Sequence, residues 1–397
     1  MAERARQPRV LHITRNLPPL VGGMERLNWH IAVELSRRAQ VQVIGPQGSA
    51  ALKPANVGLS EVPLRPLPRF LFASAWRALR LARRQRPEIV LAGSGLTAPA
   101  AWLAARACGV RAVAYVHGLD VAVRHPLYRA IWHPLLRRMD VVVANSRPTA
   151  DLVRALGVAE ERIRIVHPGV VLPEAPQPAQ ALRSFREQHG LGDARLLLSI
   201  GRLTHRKGLR EFVRNALPGI VQGAPDVVLA VIGDAPTDSL LAGVQSRDSI
   251  QAAADAAGVG RHLRFLGVIT DPQALACAYE SAAVHVFPVR ELPGDPEGFG
   301  MVAIEAAAHG LPTVAFAAGG IVDAVQDGVS GRLVPNADYP ALCSAVVALL
   351  QNPAPQLRDS ARRFAEGFAW PRFQDRLWAA LTPDAGRQAP GLPALKD

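Results

Sequence analysis

The stretch VHVFPVRELPGDPEGFGMVAIEAAAHG, residues 284–310, decides the fold. Its first four residues form a short apolar run rich in β-branched and aromatic side chains, as in a strand buried on both faces. A loop containing Gly294, Gly298 and Gly300 follows. An alanine-rich run then reads as a helix starting near Phe299 or Gly300. Strand, glycine loop and helix in this order make one βα unit of a parallel sheet. Backbone N–H groups in such a loop and at the helix N-terminus form a cradle for phosphate. Gly298 and Gly300 let a ligand approach the backbone closely. Glu305, about two turns into the helix, can accept two hydrogen bonds from a vicinal diol such as a ribose. Glu297, at the loop, can face a sugar. The alternative is an ordinary strand–turn–helix with two solvated glutamates.

The same unit recurs on both sides. Short apolar runs at 10–13, 41–44, 89–92, 112–116 and 140–144 read as buried strands, with helical patterns such as 24–38 between them. Residues 167–180, HPGVVLPEAPQPAQ, carry four prolines and break the alternation, as an interdomain linker does. A second series follows at 196–200, 227–232, 263–266, 284–287, 313–316 and 332–334. Two α/β domains are predicted, 1–178 and 179–397. A frayed Pro- and Gly-rich tail is expected after Thr382.

Further motifs lie at strand ends, where ligands bind in open α/β sheets. SIGRLTHRKG, 199–208, offers Arg202 and Lys207 to a pyrophosphate; the bland reading is a basic surface loop. NLPPLVGGMER, 16–26, places Gly22 and Gly23 before a helix, and its Glu25 suits either an acceptor hydroxyl or the helix dipole. The pair is no dinucleotide fingerprint, because GxGxxG is absent. YVHG, 115–118, closes a strand with His117, a residue that by itself is more often structural. IGDAP, 232–236, and FLGVI, 265–269, end strands in small residues, as a base pocket lined by Gly233 and Val268 requires. AGGIVDAVQDG, 318–328, offers another glycine pair, and Ser146 is placed as an N-cap.

Composition narrows the classes. The chain has 397 residues, a net charge of +12 and 49% apolar residues, enough for two packed cores. Residues 1–180 hold 25 Arg and Lys against 11 Asp and Glu, and the remainder holds 20 against 22, so the excess positive charge lies entirely in the first half. That half should attract phosphates, nucleic acid or an anionic membrane face. Of 45 basic residues only Lys53, Lys207 and Lys396 are lysine, so Lys207 stands in its motif for a compact ammonium. Three scattered cysteines show no metal spacing, and the N-terminus shows no signal peptide, so a reduced cytoplasmic protein is expected. No Asp-x-Asp occurs, so a metal cofactor is not expected; Arg202, Lys207 and helix dipoles would do the metal's work.

Taken together, GGME at 22–25, HG at 117–118, NS at 145–146, HPGV at 167–170, GRLTHRKG at 201–208 and EGFGMVAIE at 297–305 resemble the retaining glycosyltransferases of family 4. The likeness runs from Val10 to about Leu381. It implies the GT-B fold, two Rossmann-like domains facing across a cleft, with an acceptor domain first and a nucleotide-sugar donor domain second. The resemblance implies that a helix near 370–381 packs back on the first domain and that domain closure excludes water. It places the donor pyrophosphate against Arg202, Lys207 and the backbone of Gly23, Met301 and Val302, within a site that also holds Gly22, Gly298, Phe299 and Gly300. Glu305 would bind the ribose, Glu297 the sugar hydroxyls, His117 would lie at the reaction centre and Glu25 toward the acceptor. Anomeric configuration would be retained by front-face attack, the leaving phosphate taking the acceptor's proton. Two departures bear on the donor: GDAP replaces GxGP at 233–236, and RELPGDP, 290–296, extends the loop before Glu297.

Residues 62–86 are basic and aromatic. Phe72, Ala75, Trp76 and Leu79 follow helical spacing, with Arg77, Arg80 and Arg84 beside them. One reading is a helix docked on the inner face of the cytoplasmic membrane beside a lipid-linked acceptor; the other is a helix packing its apolar face on the sheet. The expectation is transfer of a hexose or deoxyhexose from a GDP- or UDP-linked donor to a lipid-linked glycan. The setting expected is bacterial cell-surface polysaccharide assembly, such as lipopolysaccharide, O-antigen or exopolysaccharide. Rival readings are a soluble small-molecule acceptor, a nucleotide-sugar binder without activity, and a nucleic-acid binder. The last is disfavoured because the arginines are not interleaved with a recognition module.

Overall fold

The computed structural model describes residues 7–235, 243–353 and 355–382. The tail after Thr382 and Pro236 of the GDAP segment lie outside the described residues. The chain forms two compact units: residues 1–169 with 370–397, and residues 170–369. The division falls between Gly169 and Val170, upstream of the boundary at 178 read from the proline run. The Val170 N–H already donates to the Phe368 carbonyl at 2.8 Å, and Gln177 N–H donates to Glu280 Oε2 at 2.6 Å, so the run from Val170 on, with three of its four prolines, belongs to the second unit.

The first unit runs β1 (Arg9–Ile13), α1 (Gly23–Ser36), β2 (Gln40–Pro46), β3 (Val57–Val62), α2 (Leu67–Gln85), β4 (Ile89–Ala92), α3 (Ala98–Cys108), β5 (Arg111–Val116), α4 (Gly118–Ala122), α5 (Pro126–Leu136), β6 (Val141–Ala144), α6 (Arg147–Ala155) and β7 (Ile163–Ile165). Its parallel sheet has the order β3-β2-β1-β4-β5-β6-β7. The two strands absent from the sequence expectation, β3 and β7, are the sheet's edges. An edge strand is covered on fewer sides and shows no continuous apolar run: in β3 only Val57 and Val62 are buried. The helix Trp370–Leu381 completes this unit. Trp370 stacks on His30 of α1 with ring centroids 3.7 Å apart, and Gln374 Nε2 donates to the Glu34 carbonyl at 2.8 Å.

The second unit runs α7 (Ala179–Gln188), β8 (Arg195–Ile200), α8 (Leu209–Asn215), α9 (Leu217–Gly223), β9 (Val227–Ile232), α10 (Arg247–Ala256), β10 (Leu263–Gly267), α11 (Pro272–Ser281), β11 (Val284–Phe287), α12 (Met301–Ala308), β12 (Thr313–Phe316), α13 (Ile321–Ala324), β13 (Gly331–Val334), α14 (Tyr339–Gln351) and α15 (Pro355–Glu366); Trp370–Leu381 is then α16. Its parallel sheet has the order β10-β9-β8-β11-β12-β13. β11 is buried throughout, and its Val284, Val286 and Phe287 share one apolar core with Ala303, Ile304 and Ala307 of α12. In each unit the strand order reverses once, between β1 and β4 in the first and between β8 and β11 in the second. Such switch points open a crevice at the strands' carboxyl ends, where ligands bind.

Candidate active site

At the second unit's switch point the loops after β8 and β11 meet. Gly208 makes this possible: it has φ +66, and a Cβ there would overlap the Pro288 carbonyl oxygen at the exit of β11. Lys207 is thereby brought over the Phe287 ring, Nζ 4.6 Å from its centroid, and donates to Glu297 Oε2 at 2.8 Å. Arg206 donates to the same carboxylate oxygen, and its Nε lies 3.2 Å from Asp295 Oδ1. Arg202 is exposed and, with Lys207, Ser199 and Gly201, borders a small recess whose floor is apolar, formed by Leu203, Leu209, Val231 and Phe287. Burial opposes the charge on Glu297, but Arg206 and Lys207 outweigh it and hold its carboxyl at about 2. Burial, with Arg206 and Arg202 adding to it, pulls the Lys207 ammonium below its ordinary value, and Glu297 opposes the shift.

The Glu297 loop rests on a second glycine pair. Gly320 N–H donates to the Glu297 carbonyl at 2.9 Å, and a Cβ on Gly320 would overlap the Gly298 carbonyl. AGGIVDA at 318–324 therefore supports the loop. Gly300 caps α12, which starts at Met301. Its first-turn N–H groups come from Met301 and Val302, both half-buried. Phe299 points into the core and is 3% exposed, so its backbone is what it can offer a ligand. Glu305 accepts from the Tyr279 hydroxyl at 2.9 Å. Gly233 ends β9 and donates to the Gly267 carbonyl at 2.8 Å, while Val268 is 57% exposed.

At the first unit's switch point α1 begins at Gly23, after Gly22. Glu25, in its first turn, accepts from Asn16 Nδ2 at 2.7 Å. His117 ends β5 and is buried; its backbone N–H donates to Asp120 Oδ2 at 2.9 Å. His117 Nδ1 lies 3.3 Å from Asn145 Nδ2, a contact whose donor is set by the ring tautomer and the amide orientation. Nε2 has no hydrogen-bond partner. Burial lowers the His117 pKa, against the pull of Asp120, the Gly93 backbone and Glu25, which favours the neutral ring at pH 7. Ser146 caps α6, accepting from Thr149 N–H at 3.2 Å. The sequence reading missed Arg206, Asp295, Asn16, Asp120 and Tyr279. Arg206 alone carried a signal, as the neighbour of Lys207.

The helix α2 settles neither reading of residues 62–86 as stated. Its buried face is Phe70, Ser74, Ala78 and Ala82, not the face of Phe72 and Trp76. Phe72 is 76% and Trp76 51% exposed. At 3.6 residues per turn Arg69, Phe72, Trp76, Arg80 and Arg83 fall in one outward stripe, and the Arg80 guanidinium lies 5.5 Å from the Trp76 ring centroid. Arg77 leaves that stripe and donates to Ser60 Oγ at 3.0 Å. Among the described residues no helix is long and apolar enough to cross a membrane.

Comparison with known proteins agrees with this arrangement. Residues 194–352 match the model of group 1 glycosyl transferases, and residues 21–173 match that of glycosyltransferase family 4. A GDP-mannose-dependent alpha-(1-6)-phosphatidylinositol monomannoside mannosyltransferase of Mycolicibacterium smegmatis is 32% identical over 87% of this chain and 90% of its own. A D-inositol 3-phosphate glycosyltransferase of Catenulispora acidiphila is 34% identical over 76% of this chain and 74% of its own. Among solved structures, Anabaena Alr3699/HepE in complex with UDP superposes with a TM-score of 0.77 at 18% identity, covering 94% of this chain and 100% of that one. With two parallel-sheet units of this topology and relatives of this identity, the chain belongs to glycosyltransferase family 4, has the GT-B fold, and is a glycosyltransferase that uses a nucleotide sugar.

Proposed function

We propose that this enzyme transfers a hexose or deoxyhexose, with retention, from a GDP- or UDP-linked donor to a lipid-carried acceptor on an anionic membrane, in assembly of a cell-surface glycan. One observation carries the acceptor class: the outward stripe of α2 sets two aromatic rings among three arginines. In this reading Arg202, Lys207 and the α12 N-terminus hold the diphosphate, and their positive charge stabilises it as it leaves. Glu305 takes the ribose and Glu297 the donor sugar's hydroxyls. The neutral His117 donates from Nε2 to a sugar oxygen, and Glu25 accepts from the acceptor. No side chain is assigned as base; the leaving phosphate takes the acceptor's proton. The GDP-mannose dependence of the mycolicibacterial relative favours GDP.

The inositol phosphate named for other relatives supports a second reading, a soluble phosphorylated acceptor. One experiment separates the two. GDP and UDP are titrated into the protein with EDTA present, and the protein is floated with phosphatidylglycerol-containing vesicles. Micromolar binding of one nucleotide, lost in Arg202→Ala/Lys207→Ala, together with flotation lost in Arg69→Glu/Arg80→Glu/Arg83→Glu, is the expected result. Flotation that survives the charge reversals, or none in the parent, overturns the membrane acceptor. A need for added metal overturns the metal-free diphosphate site.

A further inference from the structure

Glu305 does not stand alone on α12. Tyr279, from α11, is 1% exposed and donates its hydroxyl to Glu305 Oε2 at 2.9 Å. The residue one turn after Glu305, His309, stacks on the Tyr279 ring with centroids 5.2 Å apart and planes 11° from parallel. His309 is fixed in turn: Nδ1 lies 2.9 Å from Glu280 Oε1, and Glu280 Oε2 accepts the Gln177 N–H at 2.6 Å. A chain of contacts thus runs from the segment ahead of α7, through Glu280 and His309, to the phenol that holds Glu305.

We propose that Tyr279 is a positioning residue that sets the Glu305 carboxylate for the ribose diol of the donor nucleotide. The proposal rests on the reading of Glu305 as ribose ligand given above. A glutamate loses side-chain rotamer freedom on being ordered. A buried phenol that meets this loss before the ligand arrives leaves more of each ribose hydrogen bond to appear as affinity. The carboxylate offers about four lone-pair directions, of which Tyr279 occupies one. The stack on His309 limits the swing of the phenol ring.

The test compares binding of GDP and UDP with that of their 2′,3′-dideoxy forms, by calorimetry on the full chain. Two hydrogen bonds to a charged group correspond to a preference on the order of 10²–10⁴-fold for the ribo form in the parent protein. Tyr279→Phe removes one oxygen and keeps the ring. It is expected to weaken the ribo form by roughly tenfold and leave the dideoxy form unchanged, so the preference falls by the same factor. Replacing Tyr279 with p-aminophenylalanine, which keeps a donor, is expected to restore it. If the Phe variant melts below the assay temperature, p-fluorophenylalanine fills the hydroxyl's volume without a donor and takes its place. A variant that binds both forms more weakly but with the parent's preference has a merely structural tyrosine, and the proposal falls. A parent protein indifferent to the ribose hydroxyls overturns the reading of Glu305, and the role of Tyr279 with it.

Discussion

Glu297 Oε2 accepts from two cations, Arg206 and Lys207, and these have different tasks. In the proposed reading Lys207 meets the diphosphate beside Arg202, whereas Arg206, whose Nε also lies 3.2 Å from Asp295 Oδ1, fixes the carboxylate. Lys207→Met should therefore weaken nucleoside diphosphate binding by at least tenfold. Arg206→Met should leave that binding within about threefold and lower kcat by roughly 10²-fold, since a misplaced group can cost this much. Calorimetry alongside donor hydrolysis or transfer rates separates the two effects. Equal losses of binding in both variants would show that Arg206 is a phosphate ligand instead. The extended loop RELPGDP gains a purpose in this view, because it supplies Asp295 to Arg206.

At the scale of the element, α2 has two faces with opposite roles. Phe70 is fully buried between helix and sheet, and Phe70→Ala should destabilise the first unit by about 3–5 kcal/mol, read as a shift in its denaturation midpoint. Phe72→Ser and Trp76→Ser remove exposed rings and should stay within about 0.5 kcal/mol of the parent, while reducing vesicle flotation. Large destabilisation by the second pair would mean that these rings pack against protein. The sequence reading found the amphipathic character of this helix but left open whether the face of Phe72 and Trp76 packs on the sheet or points outward; that face is exposed. Ser74, Ala78 and Ala82 are small, so they let the helix lie close to the sheet. Bulk and hydrophobicity alone do not identify a face selected for close approach.

Across the whole molecule, buried neutral histidines couple stability to pH. Burial lowers the pKa of His12 from 6.5 to about 4, and burial with Lys207 nearby lowers that of His285 to about 3. As pH falls below 6.5 the unfolded chain takes up these protons first, so stability is lost until the folded values are reached. One histidine lies in each unit, and each costs up to ~1.4 kcal/mol per pH unit in this window. Glu297 adds a loss below pH 4.5, because its carboxyl is held down at about 2 in the folded state and its contribution vanishes as pH falls toward that value. Thermal melting should fall by several degrees between pH 7 and pH 5 and more steeply below. A flat melting temperature over that range would show that these histidines reach water.

The βα alternation, the glycine loop of residues 288–300, the cations of 199–208 and the proline-rich break at 167–180 were legible because each is written in adjacent residues: period, turn chemistry and strand-end spacing act over one element. The same locality explains why 227–232, 284–287 and 313–316 emerged with the bounds observed. What tertiary structure decided involves residues far apart in the chain. Arg206 and Glu297 are 91 positions apart, and Tyr279 and Glu305 are 26. His117 meets Asn145 across two neighbouring strands. The edge strands β3 and β7 exist because of their partners, and the inward face of α2 is set by the sheet beneath it. Local sequence determines which elements form and where a glycine loop opens onto a helix N-terminus; the pairing of charges, the burial of a histidine ring and the choice of a helix's buried face depend on burial and distance, which exist only once the chain has packed.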